Sequence, residues 1–159
     1  FLIAVLAQIS IPIPFTPIPI TGQTIGVVLV GGLLGARRGA MAVLAYLMEG
    51  AIGLPVFAQM KAGAHVLVGP TAGYLWGFIP AAFIMGRAAE SGFTSRLALS
   101  LLFCTAASLL ILCLGTLYFL IFQINISDAI KIGFYPFLFG DIVKSAVVAM
   151  ILAGIERKL

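Results

Sequence analysis

The segment FLFGDIVKSAVVAMILAGI, residues 137–155, is an almost unbroken apolar stretch that nevertheless contains two ionisable residues, Asp141 and Lys144. A helix rises 1.5 Å per residue, so this segment is close to the length that crosses the ~30 Å hydrocarbon core of a bilayer. Ionisable groups are costly at that depth, and those that occur there usually face a cavity and serve a site. The segment therefore predicts a membrane-spanning helix with a functional Asp–Lys pair one turn apart.

The rest of the chain has the composition of a membrane protein. Of its 159 residues, 62% are hydrophobic and 9% are charged, whereas about 25% of the residues of a soluble domain are charged. We predict an all-α, polytopic integral membrane protein that forms a single domain over residues 1–159. Its six transmembrane helices are expected at about 1–11, 21–36, 38–54, 68–89, 96–123 and 137–157.

The first apolar run is shorter than a membrane span and opens on Phe1 rather than Met. We therefore expect part of the first helix to precede the given sequence. A signal peptide is not predicted, because no basic segment comes before this run and no A-x-A site follows it.

Positive charge orients the loops, since Lys and Arg collect on the cytoplasmic side of a membrane protein. With the N-terminus inside, Lys61 and Lys131 lie outside, and the inner loops and tail hold six basic residues, Arg37, Arg38, Arg87, Arg96, Arg157 and Lys158. We expect both termini to be cytoplasmic and the outer loops to be 12–20, 55–67 and 124–136. The net charge of +4 is thus a topology signal, and it does not indicate nucleic-acid binding, which needs basic residues on one solvated face.

The cysteines and the histidine do not predict a disulfide or a metal site. Cys104 and Cys113 lie on one predicted helix, about 13 Å apart along its axis, which is too far for a disulfide. A metal site needs several convergent Cys, His or carboxylate ligands, and His65 is the sole histidine. We expect no catalytic residue, no metal and no cofactor bound by this chain.

The segment SIPIPFTPIPIT, residues 10–21, cannot be helical, because each of its four prolines removes an amide donor and fixes φ. It is nevertheless nearly as apolar as the helices. Irregular backbone survives at membrane depth only when it is buried in protein or lines a cavity. Two interpretations are open: a rigid proline hairpin that shortens a loop, or a lid over a binding site at the outer ends of the helices.

Small residues recur every four positions on two of the predicted helices. One stripe consists of Gly69, Gly73, Gly77 and Ala81, and the other of Ser145, Ala149 and Ala153, on the face that starts at Asp141. Small side chains let another helix approach closely. We therefore expect tight helix packing along both stripes within one protein.

Four motifs together resemble the BioY family, the substrate-binding membrane components of biotin transporters of the energy-coupling factor class. They are PFTPIPITGQT (14–24), LGARRGA (34–40), GLPVFA (53–58) and GPTAGYLWGF (69–78). The Asp-Ile-Val-Lys of residues 141–144 is similar to the Asp-x-x-Lys that the family carries on its last helix. The resemblance covers most of the chain, and the motifs occur in the family's order.

The resemblance implies the six-helix fold of an energy-coupling factor S-component in the bacterial cytoplasmic membrane. It implies an outward-facing biotin pocket, roofed by the first loop and the loop after the third helix, and no chemistry on the ligand. It also implies two kinds of partner, a membrane coupling protein and a cytoplasmic ATPase pair. Two positions depart from the family: Ala72 stands where glycine is more common, and Gln8 follows Ala4 where a small residue would dock the coupling protein. The docking face stays open, as does a solitary mode without a dedicated coupling module.

Biotin gives the Asp141 and Lys144 pair a physical rationale. Its ureido ring has two N–H donors and a carbonyl acceptor, and its tail ends in a carboxylate. Asp141 could accept from a ureido N–H in a charge-assisted hydrogen bond, and Lys144 could donate to the ureido carbonyl or to the carboxylate. The alternative is a mutual ion pair that only neutralises both charges in the membrane.

Other polar and aromatic residues have two interpretations each. Tyr74 and Trp76 could stack on the bicyclic ligand or act as interfacial anchors. Gln23 could bond the ligand from the start of the second helix, and Gln59 and Lys61 could meet its carboxylate at the mouth, or all three could be ordinary solvated residues. Glu49, deep in the third apolar run, is expected to be functional or paired. His65 is expected to be a solvated loop residue.

Three other functions compete with biotin transport. An intramembrane enzyme would need a nucleophile beside a base or a zinc motif such as H-E-x-x-H, and the sequence has neither context. A structural organiser of partners leaves the outer polar residues and the apolar lid unexplained. The same transporter class with another vitamin, such as thiamine or riboflavin, stays open, because a fold does not determine its substrate.

Overall fold

Seven α-helices account for most of the described chain, which comprises residues 1–156 of a computed structural model. They are α1 (Leu2–Gln8), α2 (Gln23–Leu34), α3 (Ala36–Ala51), α4 (Ala72–Glu90), α5 (Leu97–Tyr118), α6 (Ile126–Gly133) and α7 (Tyr135–Glu156). All except α6 overlap the six apolar segments of the sequence. The basic residues Arg157 and Lys158, which we predicted to be cytoplasmic, lie outside the described residues.

The first helix is shorter than predicted, and the chain after it forms a small β-ribbon. Strand β1 (Ser10–Ile11) pairs antiparallel with β2 (Ile20–Thr21), with Ser10 opposite Thr21 and Ile11 opposite Ile20. A residue that precedes proline is disfavoured in the helical region, so Pro12 turns Ile11 toward extended backbone. The prediction of helix up to residue 11 was therefore wrong, and the fold is helical with one two-stranded addition.

The segment 124–136, which we predicted as a loop, is mostly helical. The side chain of Asn125 caps α6 by accepting a hydrogen bond from the Asp128 N–H at 3.0 Å. Asp128 in the first turn and Lys131 in the last turn complement the helix dipole, and their side chains form an exposed ion pair at 3.3 Å. An Asn cap followed by these charges is a recognisable helix signal. The prediction of a loop did not take this signal into account.

Helix α4 is the centre of the bundle and packs against α2, α3 and α5, while α7 packs against α5. Gly73 lies directly against the side chain of Tyr118 on α5, so that a Cβ at this position would overlap it. At the other end of α4, Gly86 meets the backbone of Ala36 equally closely. Close packing of this kind is what the four-residue spacing of the α4 glycines predicts, although Gly69 itself precedes the helix.

The small residues of α7 also lie in a helix interface. The hydroxyl of Ser145 is 3.1 Å from that of Ser108 on α5, and the Ser100 hydroxyl donates to the carbonyl of Ala149 at 3.3 Å. Both contacts are buried. The face of α7 that begins at Asp141 therefore looks into the bundle.

Among residues 1–156, two helical segments are long and apolar enough to cross a membrane by length and composition, Leu97–Phe122 and Tyr135–Ile155. Helix α2 (Gln23–Leu34) is apolar but shorter. Helices α1, α3 and α5 run in the opposite direction to α2, α4 and α7, so six helix ends and the two apolar connections 10–21 and 52–71 meet at one end of the bundle. We refer to this end as the site end.

Candidate ligand-binding site

A cavity lies at the site end, beneath the two apolar connections. Its apolar lining comes from the proline segment, the connection after α3, and helices α4, α5 and α7, and comprises Ile18, Pro19, Phe57, Ala58, Val66, Leu75, Phe78, Ile111, Leu112 and Phe137. Its polar lining comprises Thr21, Gln23, Thr24, Lys61, Thr71, Tyr74, Asp141 and Lys144. Mostly apolar walls with a few convergent polar groups are typical of a small-molecule site.

Asp141 and Lys144 form the charged part of the cavity wall. The Lys144 ammonium donates to Asp141 Oδ1 at 3.0 Å and to the Thr24 hydroxyl of α2 at 3.5 Å. The Asp141 and Lys144 side chains are only 5% and 17% exposed. Asp141 Oδ2 is buried and has no hydrogen-bond partner among the described residues. A buried acceptor without a partner is costly, so this oxygen is suited to a ligand donor.

Gln23 lines the cavity, but its amide already belongs to a hydrogen-bond network. Its carbonyl oxygen accepts from the Thr21 hydroxyl at 3.0 Å, and its nitrogen donates to the Tyr46 hydroxyl at 2.7 Å. The Tyr46 hydroxyl in turn donates to the backbone carbonyl of Val56 at 3.0 Å. The network joins the start of α2 to the connection after α3 and so holds the roof in place. Its buried member Tyr46, 3% exposed, was not singled out from the sequence.

Tyr74 lines the cavity, and its hydroxyl already has a protein partner. The hydroxyl donates to the backbone carbonyl of Gly133 at 2.6 Å, which ties α4 to the end of α6. The ring packs against Phe119 and Phe137, with centroids 6.5 and 6.3 Å away. Tyr74 therefore offers a ligand an apolar surface.

The remaining sequence predictions separate into two groups. Lys61 reaches the cavity and is otherwise exposed, at a position suited to a charged group at the mouth. Gln59 is exposed and does not line the cavity, and Trp76 is 46% exposed with its indole N–H donating to the carbonyl of Leu67 at 3.0 Å. Glu49 and His65 also lie outside the lining. The structure thus brings Asp141, Lys144, Tyr74, Gln23 and Lys61 together and leaves Gln59 and Trp76 apart.

The structure adds lining residues that the sequence did not single out. Thr24 lies one position after Gln23 in the motif of residues 14–24, and Thr71 lies in the motif of residues 69–78. Their positions in these motifs were a usable signal for both. Ile111 and Leu112 carry no such signal, because α5 is apolar on every side. Ile18 and Pro19 place the proline segment over the cavity, which favours the lid interpretation. No group of three or more His, Cys, Asp or Glu that could hold a metal occurs within residues 1–156.

The fold and the cavity together define a helical membrane protein with a mostly apolar small-molecule site at one end of its bundle. The site offers an acceptor, a cation and aromatic surfaces, which suit binding and release of a small polar-headed ligand.

The model of the BioY family matches residues 1–159, and the chain belongs to that family. It is 42% identical to the biotin transporter BioY of Thermotoga maritima over 156 residues, which cover 98% of this chain and 90% of that protein. It is 36% identical to the probable biotin transporter BioY of Pyrococcus horikoshii, over 98% of this chain and 90% of that protein.

A solved structure has the same fold. The crystal structure of the S-component for biotin from an ECF-type ABC transporter matches with a TM-score of 0.85 and 27% sequence identity, over 98% of this chain and 85% of that one. The family and these relatives are transporters rather than enzymes. The resemblance inferred from the four sequence motifs is thereby confirmed.

Proposed function

We propose that this chain binds biotin in the cavity at the site end and is the substrate-binding subunit of an energy-coupling factor transporter that takes up biotin. The proposal is carried by one observation: Asp141 Oδ2 is a buried acceptor without a protein partner in the wall of an otherwise apolar cavity. The family and its biotin-transporting relatives support the choice of biotin over another vitamin.

The polar groups of the cavity suit the two ends of biotin. Asp141 Oδ2 would accept from a ureido N–H, and this charge-assisted bond would satisfy the orphaned oxygen. Lys144 has three N–H donors, two of which have acceptors in the described part of the chain, so the third would donate to the ureido carbonyl. Lys61 at the mouth would then meet the valerate carboxylate. Tyr74, Phe57 and the α5 residues would enclose the thiophane ring and the chain.

The partners proposed for this chain are a membrane coupling protein and a pair of cytoplasmic ATPases. The support is the fold similarity to an S-component of an ECF-type transporter. No step of ATP hydrolysis is assigned to this chain, whose role is to bind the vitamin and present it. A dedicated coupling module, a shared one and a solitary mode are compatible with the same site.

The proposed topology has six membrane spans, α1 to α5 and α7, in one domain, with the site end outside and both termini cytoplasmic. Apart from Lys144 within α7, the described basic residues are distributed accordingly: Arg37, Arg38, Arg87 and Arg96 lie at the end opposite the cavity, and Lys61 and Lys131 at the site end. Glu90 at that opposite end accepts from the Ala36 N–H at 2.9 Å and pairs with Arg87 at 3.4 Å. The excess of Arg at this end supports its placement in the cytoplasm.

The detergent-purified chain is expected to bind biotin without ATP or any partner, because the cavity is built from this chain alone. Isothermal titration measures the affinity, and mass spectrometry of ligand retained through purification identifies the native occupant. Thiamine and riboflavin are the comparison ligands. The proposal would be contradicted by a folded, monodisperse sample that retains no biotin through purification and does not bind added biotin. Retention of another vitamin would identify that vitamin as the substrate instead.

The topology is expected to appear in the labelling of single cysteines by a membrane-impermeant reagent. Lys61→Cys and Lys131→Cys should react from outside the cell, and Arg38→Cys and Arg96→Cys only after the cytoplasmic side is opened. The background carries Cys104→Ala and Cys113→Ala, of which Cys113 is the exposed one. Labelling of position 61 from the cytoplasmic side alone would reject the topology.

A further inference from the structure

The cavity is roofed by two segments that come from different parts of the chain. The first is the proline segment after α1, residues 10–21, which contributes Ile18 and Pro19 to the lining. The second is the loop 54–62 after α3, which contributes Phe57, Ala58 and Lys61. Both segments would contact a ligand in the cavity, and a wider separation between them would ease its exit. Contacts that join them therefore bear on ligand release.

The loop 54–62 is bounded by two hinge-like glycines. Gly53 and Gly63 have φ values of 109° and 99°, which residues with a side chain rarely adopt. Within the loop, Gln59 and Met60 are left-handed at φ 60° and 56° although neither is glycine. Such strained residues persist only where their surroundings hold them. The loop thus needs an external contact to keep this conformation.

That contact is the side chain of Gln8, the last residue of α1. Its Nε2 donates to the carbonyl of Phe57 at 3.2 Å, and its Oε1 accepts from the Met60 N–H at 3.1 Å. The same Nε2 also donates to the carbonyl of Ala4 one turn earlier at 3.1 Å, which orients the amide from its own helix. One amide group therefore holds both sides of the strained turn.

Gln8 also lies where the proline segment begins. Ile9 follows it, and its carbonyl accepts from the Gly22 N–H at 3.0 Å, which closes the base of the β-ribbon. Gln8 accordingly connects the base of one roof segment with the turn of the other. Two further hydrogen bonds hold the loop independently of Gln8. The Tyr46 hydroxyl donates to the Val56 carbonyl, and the Gly63 N–H donates to the Gly50 carbonyl at 2.7 Å.

We infer that Gln8 is a positioning residue that clamps the two roof segments together and thereby sets the rate at which the ligand leaves. This inference rests on the proposed biotin site. Gln8 does not line the cavity, so it acts through the loop and not by touching the ligand. Without the two hydrogen bonds from Gln8 to the loop 54–62, the roof segments would separate more often.

The test is the Gln8→Leu variant, which keeps a side chain of similar length and removes both polar atoms. Biotin should dissociate about tenfold faster, as expected for the loss of two neutral hydrogen bonds between partly exposed groups, and the association rate should rise as well, because the same separation of the roof segments eases entry. Rapid mixing of the purified, folded variants with biotin measures both rates. The control is Val5→Ala, since Val5 lies on the same helix and is 65% exposed. It should leave both rates unchanged.

A second measurement does not depend on the ligand. In the biotin-free protein, amide hydrogen exchange of peptides covering residues 55–61 should be faster in Gln8→Leu than in the parent chain or in Val5→Ala. If the parent binds biotin and Gln8→Leu releases it at the parent rate, the clamp is refuted while the biotin site stands. If the parent does not bind biotin, the site fails, and unchanged exchange in Gln8→Leu would then refute the clamp separately.

Discussion

The double variant Asp141→Asn with Lys144→Met is expected to remain folded and to bind biotin at least about 100-fold more weakly than the parent chain. The two substitutions remove both charges together, so neither is left unpaired in a buried site. Each charge-assisted hydrogen bond to the ligand contributes about 1.5–3 kcal/mol, which is one to two decades in Kd. Isothermal titration on samples of verified folding measures the loss.

The single variants separate the ion pair from the ligand contact. Asp141→Asn or Lys144→Met alone leaves an uncompensated charge among side chains that are 5% and 17% exposed, and should cost about 3–5 kcal/mol of stability. The double variant should recover most of that loss in a thermal unfolding assay. Recovery of stability without recovery of affinity is the result expected if the pair binds biotin.

A second Asp–Lys pair in the chain is a matched control. Asp128 and Lys131 have the same three-residue spacing on α6 and an ion pair at 3.3 Å, but their side chains are 54% and 65% exposed. Asp128→Asn with Lys131→Met should change neither affinity nor stability appreciably, since exposed pairs contribute about 0–1 kcal/mol. Biotin affinity close to the parent value in a folded Asp141→Asn, Lys144→Met protein would refute the site and leave family membership untouched.

The Gly50→Ala variant is expected to lose at least about tenfold in biotin affinity and to unfold at a lower temperature. Gly50 lies directly beneath the ring of Phe57, and a Cβ there would overlap that ring. Phe57 is 1% exposed and packs edge-on against Tyr46, with centroids 5.6 Å apart. The ring cannot yield without disturbing the Tyr46 network or the cavity that it lines. Overpacking of this kind costs about 1–3 kcal/mol.

Gly154→Ala tests whether the effect of Gly50→Ala comes from the contact or from the glycine itself. Gly154 lies inside α7, and nothing within 4 Å would meet a Cβ there. Alanine is favoured over glycine in a helix by about 0.5–1 kcal/mol, so this variant should be at least as stable as the parent and should bind biotin normally. Parent-like affinity in Gly50→Ala would show that the position of Phe57 does not control the site.

The positions of the longer helices could be read from the sequence because burying apolar residues in hydrocarbon needs continuous runs, which are visible without a structure. The polar exceptions within those runs were equally visible, and Asp141 and Lys144 stood out for that reason. Their direct contact at 3.0 Å follows from three-residue spacing on a helix, which puts both on nearly the same face. That they contact biotin remains a prediction.

Local signals were less reliable where two of them competed. The apolar run at the N-terminus indicated helix up to residue 11, but Pro12 favoured extended backbone before it, and Ser10 paired with Thr21. The segment 124–136 was predicted as a loop because it connects two apolar runs, although Asn125 caps the helix α6 within it. Both differences concern short elements, whose ends are decided by single hydrogen bonds rather than by periodicity.

The sequence by itself determined the membrane class, the longer helices, the charged pair and, through four motifs, the family, since each depends on composition or on neighbours along the chain. Only the tertiary structure decided which polar residues share the cavity. Gln23 and Trp76 were both candidates in the sequence. Gln23 lies in the cavity wall, where it donates a hydrogen bond to Tyr46, whereas Trp76 lies outside the cavity and donates its indole N–H to the Leu67 carbonyl. The reason is physical: which way a helix face points depends on how the helix packs against its neighbours. That packing joins residues far apart in the chain, as when Gln8 holds the loop at Phe57 and Met60.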